Sequence, residues 1–161
     1  MHRVVIASVV ALVLATSSWA VAQATPDLSG TWRVDPSAGD AARLIFPTDL
    51  VITQSPTDLT VERSSVRQGA FSAVYKLDGS KVSVEAPDGI TETAEASFDG
   101  GNLVIASRRS FSSPAGDVVL DLREVWTVEG DVLTIERTET QFGEARTGSA
   151  VYEKSDAVVI Q

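Results

Sequence analysis

Cysteine is absent from the 161-residue chain, and its single histidine is His2. No disulfide can form, and no lipid-modified cysteine can tether the chain. Without histidine or thiol beyond the extreme N-terminus, Ser-His-Asp and Cys-His catalysis are excluded, as are zinc sites built on nitrogen or sulfur ligands. There is no Gly-x-Gly-x-x-Gly and no Walker-type Gly-Lys-Ser, so the common nucleotide cradles are missing. The Asp-Gly pairs at 78, 88 and 99 lack the carboxylate ladder ending in Glu that an EF-hand requires, and read as turns. No catalytic residue, metal or cofactor is implied.

Long hydrophobic runs are scarce too. The one at the N-terminus, Val4 to Ala15, spans twelve residues with one serine, short of the ~20 needed to cross a bilayer. A basic Met1-His2-Arg3 precedes it and "TSSWAVAQA" follows, with small-x-small cut sites after Ala22 and Ala24. That is the three-part pattern of a secretory signal peptide. Residues 1–22 (or 1–24) are therefore expected to be removed, leaving one domain over 23–161 in the periplasm or outside the cell. Removing Arg3 leaves 12 basic against 22 acidic residues, a net charge of −10. Such a surface repels nucleic acid, and no membrane span remains in the mature chain.

What is present is alternation. "LSGTWRVD" (28–35), "DLVITQ" (49–54), "DLTVERSS" (58–65), "FSAVYKL" (71–77), "KVSVE" (81–85), "TETAEASF" (91–98), "NLVIASRRSF" (102–111), "DVVLDLREVWTVE" (117–129), "VLTIERTET" (132–140) and "TGSAVYEK" (147–154) each read as a strand. Short links containing Gly, Asp or Pro separate them, in the manner of hairpin turns. Ten strands in an up-and-down order predict an all-β meander, and closure into a barrel removes its edges. The link of about sixteen residues after the first strand, "PSAGDAARLIFPTDLV", is the long one. Residues 36–46 have room for a turn of helix, and Leu44, Ile45 and Phe46 predict that the link folds back over one mouth as a lid.

The Gly30-Thr31-Trp32 of the first strand resembles the Gly-x-Trp signature of the lipocalin and calycin superfamily. Together with "LVITQSPTDLTVER", "YKLDGS", "FDGGNLVIASR", "EVWTVEGDVLTIERT" and "AVYEK", it makes Asp27 to Lys154 similar to exported bacterial lipocalin-like domains of unassigned role. The resemblance implies a lipocalin-like barrel and at most small-molecule binding. In lipocalins an arginine from a late strand covers this tryptophan. The Thr-Asp-Tyr signature, the disulfide and the C-terminal helix of true lipocalins are missing here, departures that bear on the ligand more than on the barrel.

Strand alternation assigns faces. Leu28, Gly30, Trp32 and Val34 share the inner face of the first strand. Leu50, Ile52, Leu59, Val61, Phe71, Ala73, Tyr75 and Leu77 follow inward, then Val82, Val84, Ala94, Ala96, Phe98, Leu103, Ile105 and Phe111. Val118, Leu120, Leu122, Trp126, Val128, Leu133 and Ile135 complete the set. The same phase carries Arg63, Arg109, Glu124 and Arg137 inward. If Val128 pairs with Leu133 across the "EGD" turn, Glu124 faces Arg137, and this pair with Trp32 and Trp126 forms a structural plug. Arg63 and Arg109 either reach out of the mouths or, beside Tyr75 and Phe71, line a cavity and hold an anionic group of a small apolar or amphipathic ligand. The alternative is an envelope interaction protein with a side-chain-filled barrel and no ligand. Of the acids, only Glu124 is placed inward, and a monomer is expected.

Overall fold

The computed structural model describes residues 25–40, 44–65, 69–86, 90–114 and 116–155. The signal-peptide reading lies outside the described residues. Ten antiparallel strands run in chain order: β1 (Gly30–Gly39), β2 (Asp49–Gln54), β3 (Asp58–Ser65), β4 (Gly69–Lys76), β5 (Val82–Glu85), β6 (Thr91–Asp99), β7 (Asn102–Ser113), β8 (Gly116–Glu129), β9 (Val132–Gln141) and β10 (Glu144–Ser155). They form one sheet in the order β4-β3-β2-β1-β10-β9-β8-β7-β6-β5. The first and last strands pair, with Trp32 opposite Lys154, so the meander curls back on itself.

Closure is not complete. β4 and β5 stand at the two ends of the sheet and share no ladder. The β4–β5 turn instead reaches β6, through a bridge from Asp78 to Ser97 and a hydrogen bond from the Gly79 amide to the Ala96 carbonyl at 3.0 Å. The barrel is thus nearly closed, with its last seam bridged by a turn.

Among the described residues there is no helix. Of the stretch 36–46 expected to hold a turn of helix, residues 41–43 lie outside the described residues, and residues 36–39 instead continue β1 through Pro36 to Gly39. The strand continues as a wide bulge, since Val34 pairs with Tyr152 and Gly39 with Ala150, leaving extra residues on β1. Pro36 has no amide to give a ladder, and the Asp35 carboxylate accepts from the Ser37 amide and hydroxyl at 2.8 and 2.7 Å. Local polar bonding replaces pairing there.

The inner phase read from alternation matches the core. Leu28, Trp32, Leu50, Leu59, Val61, Leu103, Trp126 and Leu133 are fully buried, and Val34, Leu77, Val82, Phe98 and Val128 pack against the cluster while half-buried. β10 adds Ala150 and Tyr152. The start of β1 and the β2–β3, β4–β5, β6–β7 and β8–β9 turns lie at one end of the barrel. The β1–β2 link and the remaining turns lie at the other. Along six strands, inward residues near the first end are apolar, and a charge follows toward the second. Leu59 and Val61 lead to Arg63, Leu103 and Ile105 to Arg109, and Leu133 and Ile135 to Arg137. In strands of opposite direction, Ala96 and Ala94 lead to Glu92, Trp126 to Glu124, and Tyr152 and Ala150 to Arg146.

Candidate functional site

The first end is sealed by its own side chains. Trp32 is wholly buried, its indole Nε1 donating to the Leu28 carbonyl at 2.9 Å. The cation over its ring is the Lys154 ammonium, 5.3 Å from the centroid. The arginine that the lipocalin resemblance implied is replaced by this lysine of β10, the strand paired with β1. Gly30 makes room for it: a Cβ there would stand 2.6 Å from Lys154 Cε, and the backbone has φ +140°. The glycine of Gly-x-Trp therefore lets the lysine stem cross the chain and reach the ring.

The second end opens into a cavity of about 370 Å³. Arg63, Phe71, Tyr75 and Arg109 all line it, so the structure brings the four candidate ligand-binding residues together. Glu124 and Arg137 line it as well, whereas Trp32 sits at the sealed end. The residues read as one plug thus divide: Trp32 closes one end, and the Glu124–Arg137 pair, with Trp126 bonded to it, belongs to the cavity.

Glu124 organises that cavity. It faces Arg137 across the β8–β9 ladder, and Val128 faces Leu133, in the expected register. Its Oε1 accepts from Arg137 Nε and Nη2 at 2.8 and 2.5 Å. Its Oε2 accepts from Arg63 Nη2 at 3.1 Å and Trp126 Nε1 at 3.0 Å. Arg63 also donates to the Tyr75 hydroxyl at 3.1 Å, and its guanidinium lies 5.6–5.8 Å from the ring centroids of Phe71, Tyr75 and Trp126. Both arginines share one carboxylate, and neither Arg63 nor Arg109 reaches out of the barrel.

Burial pushes the Glu124 carboxyl up, but Arg137 and Arg63, with the hydrogen bonds from Arg137 and Trp126, together outweigh it and hold it at about 2. Burial likewise works against the Arg63 charge, yet Tyr75 and Glu124 more than offset it and its pKa is raised. Tyr75 is pushed up by its own burial and stays a phenol. The charges of Glu124 and Arg63 are therefore fixed across the ordinary pH range.

A second inward acid corrects the sequence reading. Glu92 is buried at 8 % exposure and accepts from Arg109 Nη2 at 3.1 Å. Its signal was the alternation itself, since 92 precedes Ala94, Ala96 and Phe98 in phase. Glu139, two residues beyond Arg137, and Arg146 also line the cavity. Among the described residues no cluster of side chains is suited to a metal ion.

Residues 44–48 of the β1–β2 link fold over this mouth, as their apolar side chains foretold. Leu44 and Phe46 are buried while Ile45 is half exposed at 48 %. Arg137 Nη1 donates to the Ile45 carbonyl at 2.6 Å, and its guanidinium lies 4.8 Å from the Phe46 ring centroid. Tyr152, buried below, donates its hydroxyl to the Pro47 carbonyl at 2.9 Å. Gly148 supplies space, since a Cβ there would lie 3.3 Å from Leu44 Cγ. Arg137 so joins the strap to the cavity floor.

No protein-family model and no curated protein matches the chain. Solved structures do. The chain is similar to the zebrafish ileal bile acid-binding protein in complex with cholic acid, at 15 % identity over 79 % of this chain and 98 % of that one, with a TM-score of 0.57. Fatty-acid-binding protein 1 of Echinococcus granulosus is similar at 16 % identity over 80 % and 98 %, with a TM-score of 0.52. Secretory abundant heat soluble protein 4 of Ramazzottius varieornatus gives 17 %, 80 % and 94 %, with a TM-score of 0.54. At these identities the likeness establishes the fold alone: a nearly closed antiparallel, lipocalin-like β-barrel.

Proposed function

We propose that the protein is a binding protein, not an enzyme, that takes a small amphipathic ligand into the open half of its barrel. The observation that carries this reading is the cavity's charge. The cavity's described lining holds Arg63, Arg109, Arg137 and Arg146 together with Glu92, Glu124 and Glu139, the last also 4.0 Å from Arg137 Nη1. The described lining thus carries an excess of one positive charge, within a chain of net charge −9. An anionic group on an otherwise apolar ligand balances it, beside Phe71, Tyr75, Ile105, Leu120 and Leu122. A volume of about 370 Å³ lies at the lower end of the ~300–1,000 Å³ found for small-molecule sites, which favours a compact ligand. Structural neighbours named for bile-acid and fatty-acid binding support the same class. On the N-terminal pattern we place the protein outside the cytoplasm, and we take it to act there as a monomer.

A side-chain-filled barrel without ligand is the second reading. It is favoured by one observation: among the described residues, no buried side-chain nitrogen or oxygen lacks a hydrogen-bond partner. Tryptophan fluorescence separates the two. Trp126 touches the Arg63–Glu124 network, while Trp32 is shielded at the sealed end. Titration with a medium-chain fatty acid should change Trp126 emission saturably. The change should disappear in Trp126→Phe, and Tyr75→Phe or Arg109→Met should weaken binding roughly tenfold, as for loss of a charge-assisted hydrogen bond. A flat titration across fatty acids and bile acids would leave the filled barrel standing.

A further inference from the structure

The β9–β10 hairpin turns in two residues, because Gln141 pairs with Glu144. Phe142 has φ 51° and Gly143 has φ 82°. Positive φ at both positions is the geometry that Asn-Gly or Asp-Gly adopts at ease, whereas an aromatic residue there is strained. Phe142 is the non-glycine residue with positive φ among the described residues. Its side chain does not recover the strain by packing: at 77 % it is the most exposed large apolar side chain described. Strain and exposure on the same residue point to a use outside the fold.

Its place in the barrel says which use. Glu139 and Arg146, paired two rungs below the turn, line the cavity, so the hairpin tip stands at the open mouth. Ile45, half exposed, lines the same cavity from the strap. Two apolar tips around a mouth are far too small for a stable protein interface, which buries about 1,000 Å² or more. A bilayer surface, in contrast, accepts single aromatic side chains at the headgroup level. The net charge of −9 disfavours an anionic surface.

We infer that Phe142, with Ile45 beside the mouth, docks the open end of the barrel on a zwitterionic lipid surface, so that an amphipathic ligand passes between bilayer and cavity without crossing bulk water. The ligand's passage rests on the binding function proposed above; the docking does not. The test is Phe142→Trp in the presence of phosphatidylcholine vesicles, with the wild-type spectrum subtracted to remove the other tryptophans. The new emission should shift to the blue and be quenched by phosphatidylcholine carrying brominated acyl chains. The control is Thr57→Trp at the sealed end, which should stay water-like and unquenched; quenching there as well would mean binding through the apolar run Val4–Ala15 and would overturn the proposal. A companion variant, Phe142→Asn, should hold or raise the thermal midpoint, since asparagine relaxes the turn. Emission from position 142 that stays water-like and unquenched would overturn the proposal, and so would a clear fall in the midpoint of Phe142→Asn, which would make the phenylalanine structural. No ligand is present in this experiment, so its failure and the failure of the cavity titration are separate results.

Discussion

The two ends of this barrel are made by the same strands and held by opposite chemistry. At the sealed end Trp32, Leu28, Leu59, Leu103 and Leu133 are all but inaccessible to solvent, and the Lys154 ammonium lies over the tryptophan face. At the open end the same inward rows become Arg63, Glu92, Arg109, Glu124 and Arg137, arranged around space. An apolar layer is stabilised by area removed from water, and losing one side chain costs its buried area and leaves a cavity without stranding a charged partner. A buried ionic layer depends on every partner, because a charge left alone is costly. One end is built to be stable, and the other to be specific.

The largest effect should come from breaking the open end at its hub. Glu124→Ala leaves Arg63 and Arg137 buried without the carboxylate they share, at a cost of about 3–5 kcal/mol, read as a fall in the urea midpoint. Acid should do the same more gently. The Glu124 carboxyl is held at about 2 in the fold against an ordinary 4.5. Its stabilisation is therefore complete above about pH 4.5 and is lost as pH falls toward 2. Hydrogen exchange should localise the loss, with amides around Glu124 and Arg137 deprotected on acidification before those around Trp32. Equal deprotection at both ends would erase the distinction between them.

This asymmetry was largely written in the sequence, because strand alternation reports burial directly. Where an apolar residue and a charge share one inward phase, as in Leu133-Ile135-Arg137, the phase alone places the charge inside, and the "EGD" turn fixes its partner. The rule that found Glu124 would have found Glu92, had the phase of β6 been carried one step before Ala94. Other features resist this kind of reading. The bulge in β1 follows from Pro36 and the Asp35–Ser37 bonds, and a bulge breaks the period on which phasing depends. The open β4–β5 seam depends on where a turn bonds across the barrel, which no single strand encodes. Lys154 lies over Trp32 only because β1 and β10 pair, a contact between residues 122 positions apart. Phe142 looks like ordinary turn sequence until its φ and exposure are known.

A mid-sized effect should come from the glycine that serves the sealed end. Gly30→Ala places a methyl group 2.6 Å from Lys154 Cε at a backbone φ of +140°. The strain is about 1–3 kcal/mol, and the lysine must leave the ring. Thermal unfolding should record the loss, and near-ultraviolet circular dichroism should change in the Trp32 band. Ligand affinity of the folded fraction should hold, since Gly30 lies at the end away from the cavity. A parallel loss of affinity would mean that the ends are coupled through β1.

The smallest effect sharpens the comparison most. Lys154→Met keeps an apolar stem over Trp32 and removes only the charge. A cation over an aromatic face is worth about 0.5–1 kcal/mol at an exposed site, so the midpoint should fall by no more than that corresponds to. The ring stays covered, and indole Nε1 keeps its bond to Leu28, so Trp32 emission should stay blue. The same removal of charge at the open end, Arg63→Met, also preserves a stem beside Phe71, Tyr75 and Trp126. There it leaves one lone pair of Glu124 without a donor and the Tyr75 hydroxyl without its partner. Its cost should exceed that of Lys154→Met by the ~1–3 kcal/mol that unsatisfied buried polar groups carry. If the two substitutions cost the same, the arginine acts mainly as apolar filler, and the open end is held together by the same burial that seals the closed one.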